Sequence, residues 1–98
     1  MASDRAIYML SGDLRVLSVN PGALRMWGKA REEVLGRSMT ELFPQMRGTE
    51  VQRAMESALK SFRPATFETR SFLLDKMIEV ELYPLNAGLQ VTVREIAS

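Results

Sequence analysis

The chain has 98 residues, no cysteine and no histidine, and its 13 Lys and Arg nearly balance its 12 Asp and Glu. A net charge of +1 without a basic cluster argues against a nucleic-acid partner. The missing thiol and imidazole groups exclude disulfides and remove the commonest metal ligand and general base. The sequence has neither an apolar run long enough to span a membrane nor the pattern of a signal peptide. We therefore expect a single cytoplasmic domain over residues 1–98, excised from a larger protein and not inserted in a membrane.

The first third of the chain predicts a hairpin followed by a short helix. Two apolar segments, AIYML and LRVLSV, flank the turn residues 11–13, which is typical of a β-hairpin. Asn20 is a good N-cap, and Pro21 fits the first helical position that follows it. Gly28 suits the left-handed residue that ends a helix. Trp27, just before it, would either anchor this helix on a sheet or roof a pocket.

The middle of the chain predicts short helical turns and then one longer helix. Ser38 and Glu41 have capping-box spacing, and Pro44 limits the helix that they start. Thr49 and Gln52 form a second such pair at the start of the longest periodic segment. Its apolar positions recur at helical spacing and predict a buried stripe that runs until Pro64. The stripe consists of Val51, Ala54, Met55, Ala58, Leu59 and Phe62.

After Pro64 the apolar period changes to two, which predicts three strands. These are ATFETRSFLL, KMIEVELYP and LQVTVREI, with turns at 75–76 and 86–88. With the first hairpin, the order is β-β-α-α-α-β-β-β. We therefore expect an α+β fold in which several short helices and one longer helix cover one face of a five-stranded antiparallel sheet.

This ordered set of features resembles the PAS domain family. Members typically have a Gly-containing hairpin, a strand ending in Asn-Pro, a short helix, an acidic turn and a further Gly. The stretch GDLRVLSVNPGALRMWGKAREEVLGRSMTELFP carries that pattern, and YPL at 83–85 matches the last hairpin. The resemblance covers about Ile7 to Ile96. The matching residues of the first half are Gly12, Asn20, Pro21, Ala23, Gly28, Arg31-Glu32-Glu33 and Gly36.

The resemblance also implies positions for signal relay and for cofactors. Many members end in Asp-Ile-Thr, where this chain has Glu95, Ile96 and Ala97, so we take Glu95 and Ile96 as candidate relay residues. Photoactive flavin-binding members need a Cys, and haem-binding members generally use an axial His. Since both residue types are missing, we expect neither cofactor, and only an unidentified small molecule stays open.

Ligands of PAS-like domains bind between the helical half and the sheet. The apolar residues of this helical half either fill the core or line a genuine cavity, and the sequence leaves both possibilities open. Short broken helices and adaptable methionines favour a cavity. The candidate pocket residues are Asn20, Leu24, Trp27, Leu35, Met39, Leu42, Phe43, Val51, Met55, Leu59 and Val80.

The resemblance implies a sensory or regulatory domain of a signal-transduction protein, such as a histidine kinase of a two-component system. One hypothesis is a domain that binds a small apolar ligand and relays to an attached effector. The alternative is a ligand-free dimerisation or protein-interaction module that uses the wetter sheet face, with Tyr83, Thr92 and Ile96. We expect a homodimer. We expect no enzyme activity, because carboxylates such as Glu32 and Glu41 lie in polar turns.

Overall fold

The computed structural model describes residues 5–73 and 75–96 of the chain. Within these residues it confirms the predicted α+β fold with a five-stranded antiparallel sheet. A single 3-10 turn at Pro44–Met46 precedes the longest helix. The elements in chain order are β1 (Ala6–Leu10), β2 (Val16–Val19), α1 (Pro21–Trp27), α2 (Arg31–Val34), α3 (Met39–Leu42), α4 (Glu50–Ser61), β3 (Ala65–Arg70), β4 (Met77–Leu85) and β5 (Gly88–Glu95).

The sheet has the strand order β2-β1-β5-β4-β3, with every neighbouring pair antiparallel. The first and last strands in sequence, β1 and β5, therefore lie side by side at its centre. Alternation along each strand separates an inner face, packed against the helices, from an outer face. In the middle of the inner face Tyr8, Val91 and Leu82 form one row across β1, β5 and β4.

The core lies between this inner face and the helical half. Burial of the apolar stripes of α1 and α4 against the sheet supplies most of the driving force for this packing. Trp27 is buried, as the sequence predicted, and retains 8% of its accessible surface. The largest fully buried side chains are Leu10, Met39, Met46, Met55, Leu82 and Leu89.

The helix boundaries follow the predicted caps. The Asn20 side chain accepts a hydrogen bond from Ala23 N, and Gly28 adopts the left-handed conformation with φ 67°. The capping box of Ser38 and Glu41 is also present. The second box forms only in part, because the Gln52 side chain accepts from Gly48 N, at 2.8 Å, instead of from the N-cap residue itself.

Two predicted boundaries are wrong. The strand β3 ends at Arg70 and does not continue into the following apolar residues, since the chain turns back where Ser71 N donates to Lys76 O. The buried stripe of α4 ends before Phe62, which takes the left-handed C-cap position and is 58% exposed. A C-cap residue leaves the helical period, so its side chain no longer follows the apolar face.

Candidate functional site

A small cavity of about 20 Å3 lies between the inner face of the sheet and the helices. Tyr8 of β1, Val80 of β4 and Val93 of β5 form its sheet wall, while Trp27 of α1 and Val51 of α4 form its helical wall. A space of this size holds about one water molecule. Anything larger than water must therefore displace part of the wall.

The third wall is the irregular segment Ser71–Leu73, which follows β3. Ser71 Oγ accepts a hydrogen bond from Leu73 N at 3.0 Å, and Ser71 N donates to Lys76 O at 2.9 Å. Phe72 and Leu73 are half-buried and pack against the core. Because this segment belongs to no strand, fewer backbone hydrogen bonds must break to move it than to move the other walls.

Four aromatic rings connect the sheet to the segment Ser71–Leu73, which we call the movable wall. Tyr8 contacts Trp27 edge-on at a centroid distance of 4.8 Å, and Trp27 contacts Phe43 at 5.3 Å. Phe43 in turn contacts Phe72 at 5.9 Å. These separations and tilted geometries lie in the range of favourable aromatic pairs. A displacement of Phe72 therefore changes the packing of rings that reach back to β1.

Tyr8 is the polar group of the cavity. It is 4% exposed, and among the described residues none forms a hydrogen bond with its hydroxyl. No fully enclosed side-chain nitrogen or oxygen in that part of the chain lacks a partner, so the hydroxyl keeps some accessible surface, and Tyr8 is one of the residues that line the cavity. Burial raises the pKa of the Tyr8 phenol above its ordinary value. Tyr8 therefore brings a neutral hydrogen-bond donor to the cavity wall.

Tyr8 is a cavity residue that was not predicted, although the sequence carries a signal for it. In AIYML the residues Ala6, Tyr8 and Leu10 alternate with two others, and all three are buried on the inner face. The period-two pattern of this short strand could have placed Tyr8 opposite the helices.

Asn20 joins the start of β1 to the start of α1. Its Oδ1 accepts from Ala23 N at 2.8 Å and from Ile7 N at 3.0 Å, while its Nδ2 donates to Arg5 O at 2.9 Å. Gly22 lies so close that an added Cβ would meet Arg5 O at 2.5 Å. The predicted helix cap is thus also a clamp between the helix and the first strand.

The predicted pocket residues separate into several groups. Trp27, Val51 and Val80 line the cavity. The prediction for Leu35 is wrong, because α2 ends at Val34 and the extended backbone at Leu35 leaves that side chain 42% exposed. Asn20 caps α1, and the others lie in or against the core without lining the cavity; they are Leu24, Met39, Leu42, Phe43, Met55 and Leu59.

Leu59 lines a separate, open groove at the opposite end of α4. The groove has a volume of about 470 Å3 and runs past the turn of the first hairpin, where it meets Asp13, Glu56 and Lys60. The hydrogen bond from Ser11 holds the pKa of the Asp13 carboxyl below its ordinary value. The groove is open to solvent and rimmed by charged groups, unlike the cavity.

The candidate relay residues lie beside the movable wall. Glu95 ends β5, and its carboxylate accepts from Lys76 Nζ at 3.2 Å. Ile96 N donates to Met77 O at 3.1 Å, so pairing with β4 extends one residue beyond the strand. Ala97, the third position of the predicted triplet, lies outside the described residues.

The described residues offer neither a candidate metal site nor a membrane-spanning helix. They contain no group of three acidic side chains placed to hold a metal ion. None of their helices is both long and apolar enough to cross a membrane.

Comparisons with known proteins agree with this architecture. A family model described as PAS fold matches residues 2–98. A search of curated protein sequences found no match. A domain of an HTR-like protein from Haloarcula marismortui superposes with a TM-score of 0.82 at 18% identity, covering 97% of this chain and 100% of that chain.

Histidine kinases provide two further structural matches. A sensory box sensor histidine kinase from Vibrio cholerae superposes with a TM-score of 0.83 at 17% identity, covering 96% of this chain and 82% of that one. The PAS domain of the histidine kinase ThkA superposes with a TM-score of 0.78 at 24% identity, covering 92% and 97%. At these identities the similarity establishes a shared fold.

Proposed function

The chain belongs to the PAS family and resembles the PAS domains of sensor histidine kinases, and from that premise we propose that it binds a small apolar or amphipathic molecule and relays the binding to an attached effector. A PAS domain is not itself catalytic, so the effector would carry any activity. The cavity with one movable wall is the observation that supports this function. The cytoplasmic location and the homodimer stay predictions.

Binding in the cavity would reach the end of the domain through the movable wall. A ligand larger than water displaces Phe72 and with it the loop that Ser71 and Lys76 close. Lys76 is ion-paired with Glu95, and the neighbouring Met77 accepts from Ile96 N. Loop displacement would therefore alter the pairing at the C-terminal end of β5.

A second route would run through α1. Trp27 contacts both Tyr8 and Phe43, so repacking around the cavity shifts the end of this helix. Asn20 transmits such a shift to β1, because it bonds both Ala23 N and Ile7 N. A ligand changes the balance between two arrangements only by binding one of them more tightly. The closed cavity, with its minimal volume, would be the ligand-free arrangement.

Native mass spectrometry of the purified chain, followed by two-dimensional NMR during a ligand screen, tests the proposal. Trp27 is the single tryptophan, so its indole N–H gives one signal that reports on the cavity. A ligand should shift that signal together with the amide of Ile96. Val51→Ile should weaken binding by filling the cavity, whereas Val34→Ile, the same change at a buried position away from the cavity wall, should not.

Absence of any bound mass, together with an unchanged Trp27 signal throughout the screen, would contradict ligand sensing. A shift at Trp27 without one at Ile96 would retain binding but contradict the relay through the movable wall.

The outer face of the sheet favours a second candidate, a ligand-free association module. Ile7 is 38% exposed, Leu17 48% and Tyr83 41%. Leu17 is turned outward where the register of β1 and β2 shifts, and Thr92, buried between the other strands, fills the centre of this face. Exposed apolar residues gathered on one face are typical of interaction surfaces.

Sedimentation velocity over a wide concentration range separates the two candidates. Association through the outer face predicts a dimer that Leu17→Lys weakens and that Leu35→Lys, also at an exposed leucine, leaves intact. A monomer at every concentration would contradict the second candidate.

A further inference from the structure

Resting on the proposed function, we infer that the ligand is an uncharged molecule with one aromatic ring and a carbonyl-type acceptor, which bonds to the Tyr8 hydroxyl and replaces the Phe72 ring in the cavity wall. Three features of the site carry this inference: its lack of charge, its unpartnered donor and its aromatic plug.

The lining of the cavity excludes charged ligands. Its side chains are apolar except for Tyr8 and Ser71, and none is a Lys, Arg, Asp or Glu. The Lys29 ammonium lies over the Phe43 ring, 5.8 Å from the centroid, and neither residue belongs to the lining. Burying a carboxylate, an amine or a phosphate here without a partner charge would be strongly unfavourable, because the charge would lose its hydration without compensation.

The Tyr8 hydroxyl sets the polar requirement. It belongs to a buried residue of the cavity wall and lacks a partner among the described residues. The other lining hydroxyl, of Ser71, already accepts from Leu73 N. A buried phenol without a partner loses its hydrogen bonds to water without replacing them. A carbonyl oxygen in this space, which is large enough for about one water molecule, would accept from this donor.

Phe72 sets the shape of the ligand. Its ring is half-buried, contacts Phe43 at 5.9 Å and belongs to a segment outside the strands. An outward movement of the segment would leave a gap of the size of this ring beside Phe43. A single aromatic ring in that gap would restore the contact with Phe43 and place a substituent toward Tyr8.

Three probes of similar size test the inference on the whole 98-residue chain. They are acetophenone, its hydrocarbon counterpart α-methylstyrene, and the anion benzoate, each titrated while the Trp27 indole N–H signal is followed. Acetophenone should bind about fivefold more tightly than α-methylstyrene, as one net hydrogen bond predicts. Benzoate should not shift the signal at the same concentrations.

Matched variants identify the two residues that the inference names. Tyr8→Phe should abolish the preference for acetophenone and leave α-methylstyrene binding unchanged, whereas Tyr83→Phe, on the outer face, should change neither. Phe72→Ala should strengthen acetophenone binding at least about threefold, because the competing plug is gone. Phe62→Ala, at an exposed ring beyond the far end of α4, should not.

Each failure has a separate meaning. Equal affinities for acetophenone and α-methylstyrene in both the wild type and Tyr8→Phe would overturn the role of Tyr8 while confirming a cavity that binds. Benzoate binding as tight as acetophenone binding would overturn the exclusion of charge, and an unimproved Phe72→Ala variant would overturn the plug. A bound mass in native spectra without any response to the probes would overturn the inference and retain the proposed function. Neither a bound mass nor a response would overturn both.

Discussion

Asn20→Ala should destabilise the domain more than the loss of an ordinary helix cap. Removing the cap to Ala23 N costs about 1 kcal/mol. The side chain also accepts from Ile7 N and donates to Arg5 O, at 3.0 and 2.9 Å. Both contacts are exposed, so water replaces them in part, and we add about 0.5 kcal/mol for each. The expected loss in the free energy of unfolding is thus about 2 kcal/mol, or roughly 10 °C in Tm for a chain of this length.

Guanidinium denaturation followed by Trp27 fluorescence measures this loss. If only stability is altered, the slope of the unfolding free energy against denaturant concentration should not change. Asn20→Asp keeps an acceptor oxygen for both Ala23 N and Ile7 N and gives up only the bond to Arg5 O, so its loss should be smaller. Thr49→Ala removes the cap of α4 without any link to a strand and should cost about 1 kcal/mol.

Hydrogen exchange separates the clamp from the cap. In Asn20→Ala the amides of both Ala23 and Ile7 should exchange faster, because each loses its bond to Oδ1. If Asn20→Ala costs no more than Thr49→Ala and the Ile7 amide stays protected, the residue acts as a cap alone, and the proposed route from α1 to β1 is wrong.

Three other variants test single features of the structure in denaturation experiments. Gly88→Ala should lower the free energy of unfolding by at least about 3 kcal/mol, because the added Cβ would lie 1.9 Å from Leu10 O at a φ of 150°. In the control variant Gly12→Ala the added Cβ meets nothing within 4 Å, so the stability should stay within about 1 kcal/mol of the wild type. Burial raises the pKa of Tyr8, so the unfolded chain ionises first, and stability should fall above about pH 10 by up to about 1.4 kcal/mol per pH unit. Tyr8→Phe should remove that decrease, and it should change stability less at neutral pH than at alkaline pH. An identical alkaline decrease in both proteins would contradict the assignment of this effect to Tyr8. Phe62→Asn should stabilise the chain by roughly 0.5 kcal/mol, because asparagine tolerates the φ of 56° better than phenylalanine, and an unchanged melting temperature would show that this position carries no strain.

The sequence alone determined the elements and most of their boundaries. Asn20, Ser38 and Gly28 act on backbone groups within four residues of themselves, so their capping roles can be read without knowing the fold. The change from helical period to period two after Pro64 depends on local spacing too. Two local details differ from this prediction: the Gln52 side chain accepts from Gly48 N instead of from the N-cap residue, and Leu35 is exposed because α2 ends at Val34.

Only the tertiary structure decided the strand order, the cavity and the role of Tyr8. The cavity is a space that the side chains of β1, β4, β5 and two helices leave unfilled. Its position depends on all of these elements together, so no local sequence pattern predicts it. The position of Phe72 likewise depends on where the chain leaves β3 and on a ring at Phe43 far away in sequence. Periodicity distinguishes an inner face from an outer one, but it cannot distinguish a residue that fills the core from one that borders empty space.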